Sequence, residues 1–515
     1  MGLNIVDKQQ YLEEREKLIG ADRSLRRDRP AVHTRSALET EADEIMHRIR
    51  AEEAAGIWKE DHPDVPHPFP GMEFLTGKKI VEKTRTFEIL MPKGALLHIH
   101  IGATVDARTL LDLALQQPAI HIRVPERLDA RNISSVLPEL MPLTPEFYNM
   151  DGEIVSSNSY VPNTWVNITR AREQFDPSLG GPEGFDRWII DAMTLRPAEA
   201  YGTHNTVTKI WEKFQSTFGV SGGLVHFLPI FKQYLRIFFL TSINDGISYM
   251  EPRIDFYFAK ALTATDGRST ITHREVLQLF EATVNEVKEE LTKEGRGDKF
   301  LGARIIYTAF RALEPKDLYY YVDDCIDLKK EFPHIIAGFD LVGNEDELRP
   351  LIDYVEPLLY FRERQLQEGV EIPFLFHAGE TLGDGDSPDN NLYDALLLGT
   401  KRIGHGFSLV KHPKLLQACR EQGILLEVCP ISNEILRLTS SMPMHPLPII
   451  INNGVSVALS SDGPSVFGNM GLTYDFFQFS MMLPAEKKDA LDSWETEWRA
   501  FLEFIVARYK GSLPN

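Results

Sequence analysis

Eight short apolar runs between residues 96 and 462 constrain the fold of this chain more than any other feature. Most are separated by stretches with helical spacing, and the stretch from Thr272 to Lys293 opens with Thr272 and Glu275 in a capping-box pattern. Strands that alternate with helices predict a parallel α/β sheet, and eight such units predict a closed TIM (β/α)8 barrel. The runs are 96–101, 247–256, 303–310, 334–341, 372–379, 401–406, 424–430 and 455–462.

Residues 1–75 form a charged segment that precedes the barrel and is predicted to be helical. Its apolar positions recur at helical spacing, and this face would either pack on the main body or serve as a dimerisation arm. A proline-rich stretch ending at Gly71 cannot continue a helix and marks a boundary, so the barrel is assigned to 76–515. The apolar positions are Leu38, Ala42, Ile45, Met46 and Ile49.

The gap between the first two runs, 102–246, is too long for one strand-to-strand crossover. Its part from about 118 to 205 is rich in Pro, Asn and Ser. We therefore expect an inserted subdomain after the first strand, followed by a helix that begins at Val207.

Composition limits the classes of partner. The formal net charge of -20 opposes the binding of phosphate backbones, so no nucleic-acid partner is expected, whereas a small neutral molecule is compatible with it. Three cysteines, an odd number, do not make a disulfide framework. No secretory signal pattern and no membrane-spanning apolar run are apparent, which predicts a cytoplasmic protein without membrane contact; a secreted protein whose signal was removed is the alternative.

Five metal-competent side chains lie at the ends of four of the predicted strands. His98 and His100 are two residues apart on the first run and would point the same way. Catalytic groups of TIM barrels lie at the carboxyl ends of strands. Imidazoles with a carboxylate suit Zn2+ that keeps one position open for water. The other three side chains are His377, His405 and Asp462.

Glu380 follows His377 by three residues and is a candidate proton donor. Zinc lowers the pKa of a water molecule to about 7, and a nearby carboxyl group could then deliver a proton to the substrate. The alternative role for Glu380 is an N-cap or first-turn acid of the next helix. The metal candidate three residues away favours the catalytic role.

Six segments carry a distinctive pattern: MPKGALLHIH, GFDLVGNEDE, FLFHAGET, RIGHGFSLVKHP, EVCPISNEIL and SSDGPSVFG. They resemble motifs of the adenosine deaminase family, in particular of its adenosine deaminase-related growth factor branch, which includes the extracellular adenosine deaminases. The similarity runs from about Glu88 to Tyr509, and the branch also carries an N-terminal helical dimerisation segment and an insert after the first strand. In the extracellular enzymes the insert holds a disulfide, whereas 118–205 contains no cysteine, which favours an intracellular variant.

The resemblance implies a role for each matching position. Glu380 would protonate N1 of the purine, and His405 would orient the hydroxide and assist its deprotonation. The backbone of Gly343 would bind N3, and Trp211 would lie beside the substrate, with packing in a helix core as its alternative. The zinc ligands would be His98, His100, His377 and Asp462.

Two positions depart from the family pattern. Gly463 stands where the family usually has an Asp beside N7 of the purine, and Gly102 stands at or near an Asp that reaches toward the ribose or the attacking water. Both changes remove carboxylates from the substrate side and leave the metal candidates intact. A charge-assisted hydrogen bond in a buried site contributes about 1.5–3 kcal/mol, so we expect weak activity on adenosine and better activity on a relative.

These observations predict a homodimeric, zinc-dependent hydrolytic deaminase of adenosine or a related purine nucleoside. One alternative keeps the metal chemistry and changes the substrate to a 5′-nucleotide or to a non-purine amide or amidine. Another is a catalytically weakened nucleoside-binding or growth-factor-like protein. Glu380 and His405 argue against complete loss of catalysis, because a binding protein has no need of a proton donor beside a metal.

Overall fold

Eight parallel strands form the centre of the molecule, and they coincide with the eight apolar runs. The computed structural model describes residues 7–25, 36–60, 62, 72–88, 91–148, 152–259, 262–482 and 495–509. The strands are β1 (Gly94–His100), β2 (Ile247–Asp255), β3 (Ile305–Phe310), β4 (Ile336–Val342), β5 (His377–Ala378), β6 (Arg402–His405), β7 (Leu425–Val428) and β8 (Ser456–Leu459).

The strands pair in chain order and close into a barrel. One sheet has the order β1-β2-β3-β4 and the other β5-β6-β7-β8, and every ladder in them is parallel. Parallel bridges between Phe339 and Phe374 and between Ile99 and Asp462 join the two sheets at their edges. The predicted (β/α)8 barrel is therefore confirmed.

The strand β5 is shorter than the run that predicts it. The run covers 372–379, whereas the strand covers only His377–Ala378. Pro373 has no N–H to donate, so β4 and this segment pair through the amides of Phe339 and Leu375 alone, with N–O distances of 2.9 Å for both bonds. The barrel closes here through an isolated bridge rather than a continuous ladder.

Helices on the outside of the barrel connect successive strands. The first begins at the predicted cap: Thr272 and Glu275 form a capping box at the start of His273–Lys293. The connecting helices are His273–Lys293, Pro315–Glu331, Val355–Glu368, Ser387–Leu397, Pro413–Gln422, Pro430–Ile435 and Leu447–Asn452. Phe256–Ala259 follows β2, and Pro464–Phe467 and Thr473–Met482 follow β8.

The segment between β1 and β2 carries a small antiparallel sheet and several helices. Its strands Glu139–Pro142 and Val166–Asn167 pair on either side of Ile120–Arg123. The helix Val207–Val225 begins at the predicted residue and leads to Leu228–Asn244 beside β2. The other helices are Ala107–Leu115, Ile168–Glu173, Gly181–Met193 and the π-helix Ala198–Thr203. The limits of an inserted subdomain at about 118 and 205 stay a prediction.

The amphipathic face of 38–49 packs within the chain. Helix Ala37–Ala55 buries Ala42, Ile45 and Ile49 against helix Glu495–Tyr509, which contributes Phe501 and Leu502. Helix Lys8–Ser24 is different, because none of its residues is buried. This helix therefore packs against another helix of the same chain, and the role of 1–75 as a dimerisation arm stays a prediction.

The proposed boundary at 75/76 stays a prediction. A short helix, Phe74–Val81, runs across it, and helix Arg85–Glu88 follows. The proline-rich stretch itself, at 61 and 63–71, lies outside the described residues.

Two general properties of the chain bear on its class. Cys325, Cys419 and Cys429 are all buried free thiols, as the odd cysteine count predicts. Among the described helices, none combines the length and the apolar character that crossing a bilayer requires.

Candidate active site

Four histidines converge at the carboxyl ends of β1, β5 and β6. The ring centre of His98 lies 4.5 Å from that of His377, 4.7 Å from that of His405 and 5.5 Å from that of His100. Nitrogen atoms of His98, His100 and His377 all lie within 4.8 Å of one another, a spacing that allows them to share one ion. The chain thus brings these predicted residues together from strands that are far apart in sequence.

Asp462 reaches the same point from the end of β8. Its Oδ1 lies 3.3 Å from Nε2 of His100 and 3.7 Å from Nε2 of His98. Its Oδ2 accepts a 2.7 Å hydrogen bond from the hydroxyl of Ser432. Asp462 and His405 both have φ of 60°, a left-handed conformation that is uncommon for residues with side chains. Such conformations are concentrated at functional sites, and here they turn both side chains into the barrel mouth.

The donor set fits a metal ion. Nε2 of His98 is buried and has no hydrogen-bond partner among the described residues, a costly state unless the nitrogen ligates something. Burial lowers the pKa of His98 and of His100, and neighbouring charges, those of Arg253 and His377 among them, lower both further. Both imidazoles are therefore neutral, which is the form that binds metals.

Two buried carboxylates orient the histidines from behind. Oε2 of Glu427 lies 2.9 Å from Nδ1 of His98, and Oδ2 of Asp340 lies 2.6 Å from Nδ1 of His377. A carboxylate can only accept, so each Nδ1 carries the proton and each Nε2 turns a lone pair toward the common point. This is the arrangement that metal-binding histidines adopt in proteins.

Arg253 on β2 links these two carboxylates. Its Nε donates to Asp340 and a terminal nitrogen donates to Glu427, both at 2.8 Å, and its side chain is fully buried. Burial alone would lower the pKa of Arg253, but Glu427 and Asp340 outweigh it and raise the pKa. Burial likewise raises the pKa of Asp340, but His377 and Arg253 outweigh it and hold that pKa low. The group is therefore an ion network fixed in its charged state.

Glu380 lies beside the metal candidates with a carboxyl group suited to hold a proton. Its side chain is buried, and its Oε1 has no hydrogen-bond partner among the described residues. Burial raises the pKa of Glu380 well above its usual value, and the charges of Asp462 and Glu345 raise it further. The first-turn alternative is excluded because the next helix begins at Ser387, with Asp386 as its N-cap.

Glu345, after β4, holds the backbone of Glu380 in place. Its carboxylate accepts hydrogen bonds from the amides of Gly379 at 3.2 Å and Glu380 at 3.0 Å. The side-chain amide of Asn391 donates to it at 2.6 Å. Three donors on one buried carboxylate fix the turn that carries Glu380.

Gly343 needs to be a glycine in this fold. Its φ is +125°, and an added Cβ would lie 2.7 Å from Leu348 Cδ1 and 2.9 Å from Phe310 Cε2. The backbone at this position, directly after β4, therefore follows a path that no side chain could share. Its contact with a substrate stays a prediction.

Aromatic rings occupy the space beside Gly463 and Gly102, the two positions that differ from the family pattern. A Cβ on Gly463 would lie 3.5 Å from a ring atom of Phe214, and a Cβ on Gly102 would lie 3.4 Å from a ring atom of Phe218. Trp211, one turn before Phe214 on helix Val207–Val225, is buried with its ring edge-on to that of Phe214 at 5.4 Å. This side of the site is therefore an apolar wall, and Trp211 packs within it.

Several site residues escape the reasoning from sequence. Arg253, Asp340 and Glu427 are charged residues inside apolar strand runs, and this contrast is the signal that could have found them. Ser432, Asn433 and Glu345 lie in loops and short helices, where polar residues are ordinary. They fall inside the segments EVCPISNEIL and GFDLVGNEDE, and that resemblance is the signal that could have found them.

A (β/α)8 barrel with three histidines and an aspartate at its carboxyl end, beside a buried glutamate of raised pKa, defines the class of barrel hydrolases with a His/Asp metal site. The adenosine deaminase family model matches residues 196–491. Adenosine deaminase 2 of Sus scrofa is 31% identical over 84% of this chain and 84% of its own length. Adenosine deaminase 2 of Dictyostelium discoideum is 30% identical over 86% of this chain and 79% of its own.

Among solved structures, the apo N6-methyl-AMP deaminase of Arabidopsis thaliana matches 81% of this chain and 98% of its own, with 15% identity and a TM-score of 0.46. The family match and the extent of the relatives' identity are decisive. The chain belongs to the adenosine deaminase family. It is a hydrolytic enzyme that acts on C–N bonds by deamination.

Proposed function

We propose that this enzyme is a zinc-dependent deaminase of adenosine or a related purine nucleoside, which releases ammonia and leaves an inosine-type product. The observation that carries the proposal is that the ligand atoms of His98, His100, His377 and Asp462 lie around one point, with the buried carboxyl group of Glu380 beside it. The relatives named adenosine deaminase support the choice of substrate class.

The residues of the chain divide the chemistry among them. His98, His100, His377 and Asp462 would hold the zinc, which supplies Lewis acidity and makes a water molecule nucleophilic near neutral pH. Glu380 would give its proton to N1 of the purine as the oxygen of the water molecule adds at C6. Of the two protons of that water, one would leave with the amino group as ammonia and the other would restore the carboxyl group of Glu380. Arg253, Asp340 and Glu427 keep the imidazoles in one orientation throughout.

The apolar wall beside Gly102 and Gly463 affects which nucleoside fits best. With rings beside Gly102 and Gly463, no carboxylate from these positions is available to hydrogen-bond the purine or its sugar. We therefore propose that adenosine is turned over slowly and that a relative with a different purine edge or 5′ group is preferred.

Ammonia release tests the proposal directly. The enzyme is stripped with a chelator, reloaded with one equivalent of zinc, and assayed on adenosine, 2′-deoxyadenosine, AMP and adenine. We expect no turnover without metal and recovery with zinc, with adenosine turned over more slowly than the preferred relative. Zinc-loaded protein that releases no ammonia from any nucleoside would overturn the function, and a preference for AMP would move it to the 5′-nucleotide alternative.

We also propose that the enzyme is a homodimer that associates through helix Lys8–Ser24. Tyr11, Leu12 and Leu18 are exposed on this helix, which buries none of its residues within the chain. Exposed apolar residues on a helix that buries none of its own side chains favour association with another helix. A cytoplasmic location also stays a prediction.

A further inference from the structure

A chain of hydrogen bonds leads from the backbone of Leu447 to His405. The amide of Leu447 donates to Nδ1 of His445 at 3.0 Å, and Nε2 of His445 lies 3.0 Å from Oδ1 of Asn433. The side-chain nitrogen Nδ2 of Asn433 lies 3.3 Å from Nδ1 of His405. All three side chains are buried, so no solvent competes for these contacts.

The direction of every bond in this chain is determined by its first member. A backbone N–H can only donate, so Nδ1 of His445 accepts, and the neutral ring must carry its proton on Nε2. Burial lowers the pKa of His445 to about 3, which is consistent with a neutral ring. Nε2 of His445 then donates to Oδ1 of Asn433, and Nδ2 of Asn433 donates to Nδ1 of His405.

His405 therefore has the opposite tautomer from the two histidines beside it. The carboxylates behind His98 and His377 place their protons on Nδ1 and leave Nε2 free to ligate. The amide behind His405 occupies the lone pair of Nδ1 and leaves the proton on Nε2. That Nε2 is buried and has no hydrogen-bond partner among the described residues.

We propose that Asn433 and His445 are positioning residues that hold His405 with its proton on Nε2, so that His405 donates a hydrogen bond to the nucleophile instead of ligating the metal. The inference rests on the proposed function for what His405 acts upon. It also limits the role of His405: in the resting enzyme its Nε2 is already protonated, so His405 would orient the nucleophile but would not deprotonate it, which is the second role that the family resemblance implies. The carboxyl of Glu380, with Oε1 3.5 Å from Nδ1 of His405, is compatible with this tautomer when protonated.

Neutron diffraction of the zinc-loaded enzyme after deuterium exchange tests the tautomer itself. We expect deuterium on Nε2 of both His405 and His445 and on Nδ1 of neither ring. Deuterium on Nδ1 of His405 would overturn the proposal. Because this measurement needs no turnover, its result is independent of whether the proposed function survives the ammonia assay.

Two near-isosteric variants test the consequence for catalysis. Asn433→Asp keeps the shape but makes the partner of His405 an acceptor, which moves the proton of His405 to Nδ1. We expect kcat to fall about 10²-fold, as for the loss of one oriented donor, with KM changed only a few-fold. His445→Gln is the matched control, because glutamine can accept from Leu447 and donate to Asn433.

His445→Gln should retain kcat within about tenfold, whereas His445→Leu, which does neither, should resemble Asn433→Asp. Zinc content and melting temperature are measured on each protein, so that loss of the metal site or of the fold can be distinguished from a change in the orientation of His405. Wild-type kcat in folded, zinc-loaded Asn433→Asp would contradict the proposal. So would an equal loss in His445→Gln and His445→Leu. If Asn433→Asp does not fold, the neutron experiment and the comparison of His445→Gln with His445→Leu still test the proposal.

Discussion

Glu380 is the residue whose chemistry depends most on its surroundings. Burial and the nearby charges of Asp462 and Glu345 raise the pKa of its carboxyl group, and the hydrogen bonds from the amides of Gly379 and Glu380 to the carboxylate of Glu345 hold its backbone in place. At the surface the same residue would be ionised at neutral pH. Its capacity to donate a proton is therefore a property of the fold and not of glutamate alone.

Glu380→Gln should abolish most turnover and leave the metal site intact. Glutamine preserves the size of the side chain but cannot transfer a proton, and such groups contribute about 10²- to 10⁴-fold to rate. Steady-state kinetics, with zinc measured per chain, checks this. Full activity of the variant on the preferred substrate would show that the proton comes from elsewhere.

Arg253→Gln should affect stability and metal binding together. Removing the guanidinium leaves Asp340 and Glu427 buried without their cation, and breaking a buried pair costs about 3–5 kcal/mol. Loosened histidine orientation should weaken zinc affinity about 10- to 100-fold.

The control for this prediction is Arg274→Gln. Arg274 pairs with Glu331 at 2.6 Å, but both side chains are exposed to solvent, so its loss should cost far less stability than the loss of Arg253. Urea unfolding and zinc titration measure both variants. Equal effects at the two sites would mean that the buried network contributes no more than a surface ion pair.

At the scale of elements, the strand ends and the turns that follow them determine the site. The apolar runs predict where each strand lies because a strand buried on both faces leaves a continuous apolar pattern. They do not predict the turn after β4, where Gly343 leads into the segment that carries Glu345. The hydrogen bond from the amide of Glu380 to the carboxylate of Glu345 joins two loops that are 35 residues apart, and the spacing of residues within either loop does not predict it.

Gly343→Ala should destabilise the protein by at least about 2 kcal/mol. The alanine would have φ of +125°, and its Cβ would meet Leu348 and Phe310 at 2.7 and 2.9 Å. Gly369→Ala is the matched control: it also has positive φ, +66°, but nothing lies within 4 Å of its Cβ. The control should cost about 1 kcal/mol from backbone conformation alone. Urea unfolding that finds the two costs equal would contradict the packing argument.

At the scale of the whole molecule, sequence reasoning found the barrel and the metal candidates but could not distinguish the two N-terminal helices. The apolar spacing of 38–49 is compatible with an intermolecular contact and with an intramolecular one, and the partner helix, Glu495–Tyr509, lies at the other end of the chain. Helix Lys8–Ser24 lacks a strong apolar stripe, so what draws attention to it is that none of its own residues is buried.

Removal of helix Lys8–Ser24 should convert the proposed dimer into a monomer. A truncated protein that begins at Ser36 retains helix Ala37–Ala55 and therefore keeps the C-terminal helix covered. Leu18→Glu in the full chain should act in the same way without deletion, because Leu18 is 72% exposed. Leu366→Glu, at 85% exposure on helix Val355–Glu368, is the control. Sedimentation velocity that finds a full-length monomer, or a truncated dimer, would refute the assignment.

The residue that closes the barrel also offers its side chain to the metal. The backbone of Asp462 accepts from the amide of His100 at 3.0 Å and donates to the carbonyl of His98 at 3.1 Å, while its carboxylate faces the shared centre. Two kinds of interaction can therefore hold β1 against the end of β8: the backbone hydrogen bonds of Asp462, and a metal ion shared by its carboxylate and the histidines of β1. Ion binding favours the closed form by mass action, so metal supply would set how long the enzyme survives heat as well as how fast it works. In a cell short of the metal, such an enzyme would lose its activity, and the protein itself would be removed by unfolding and proteolysis.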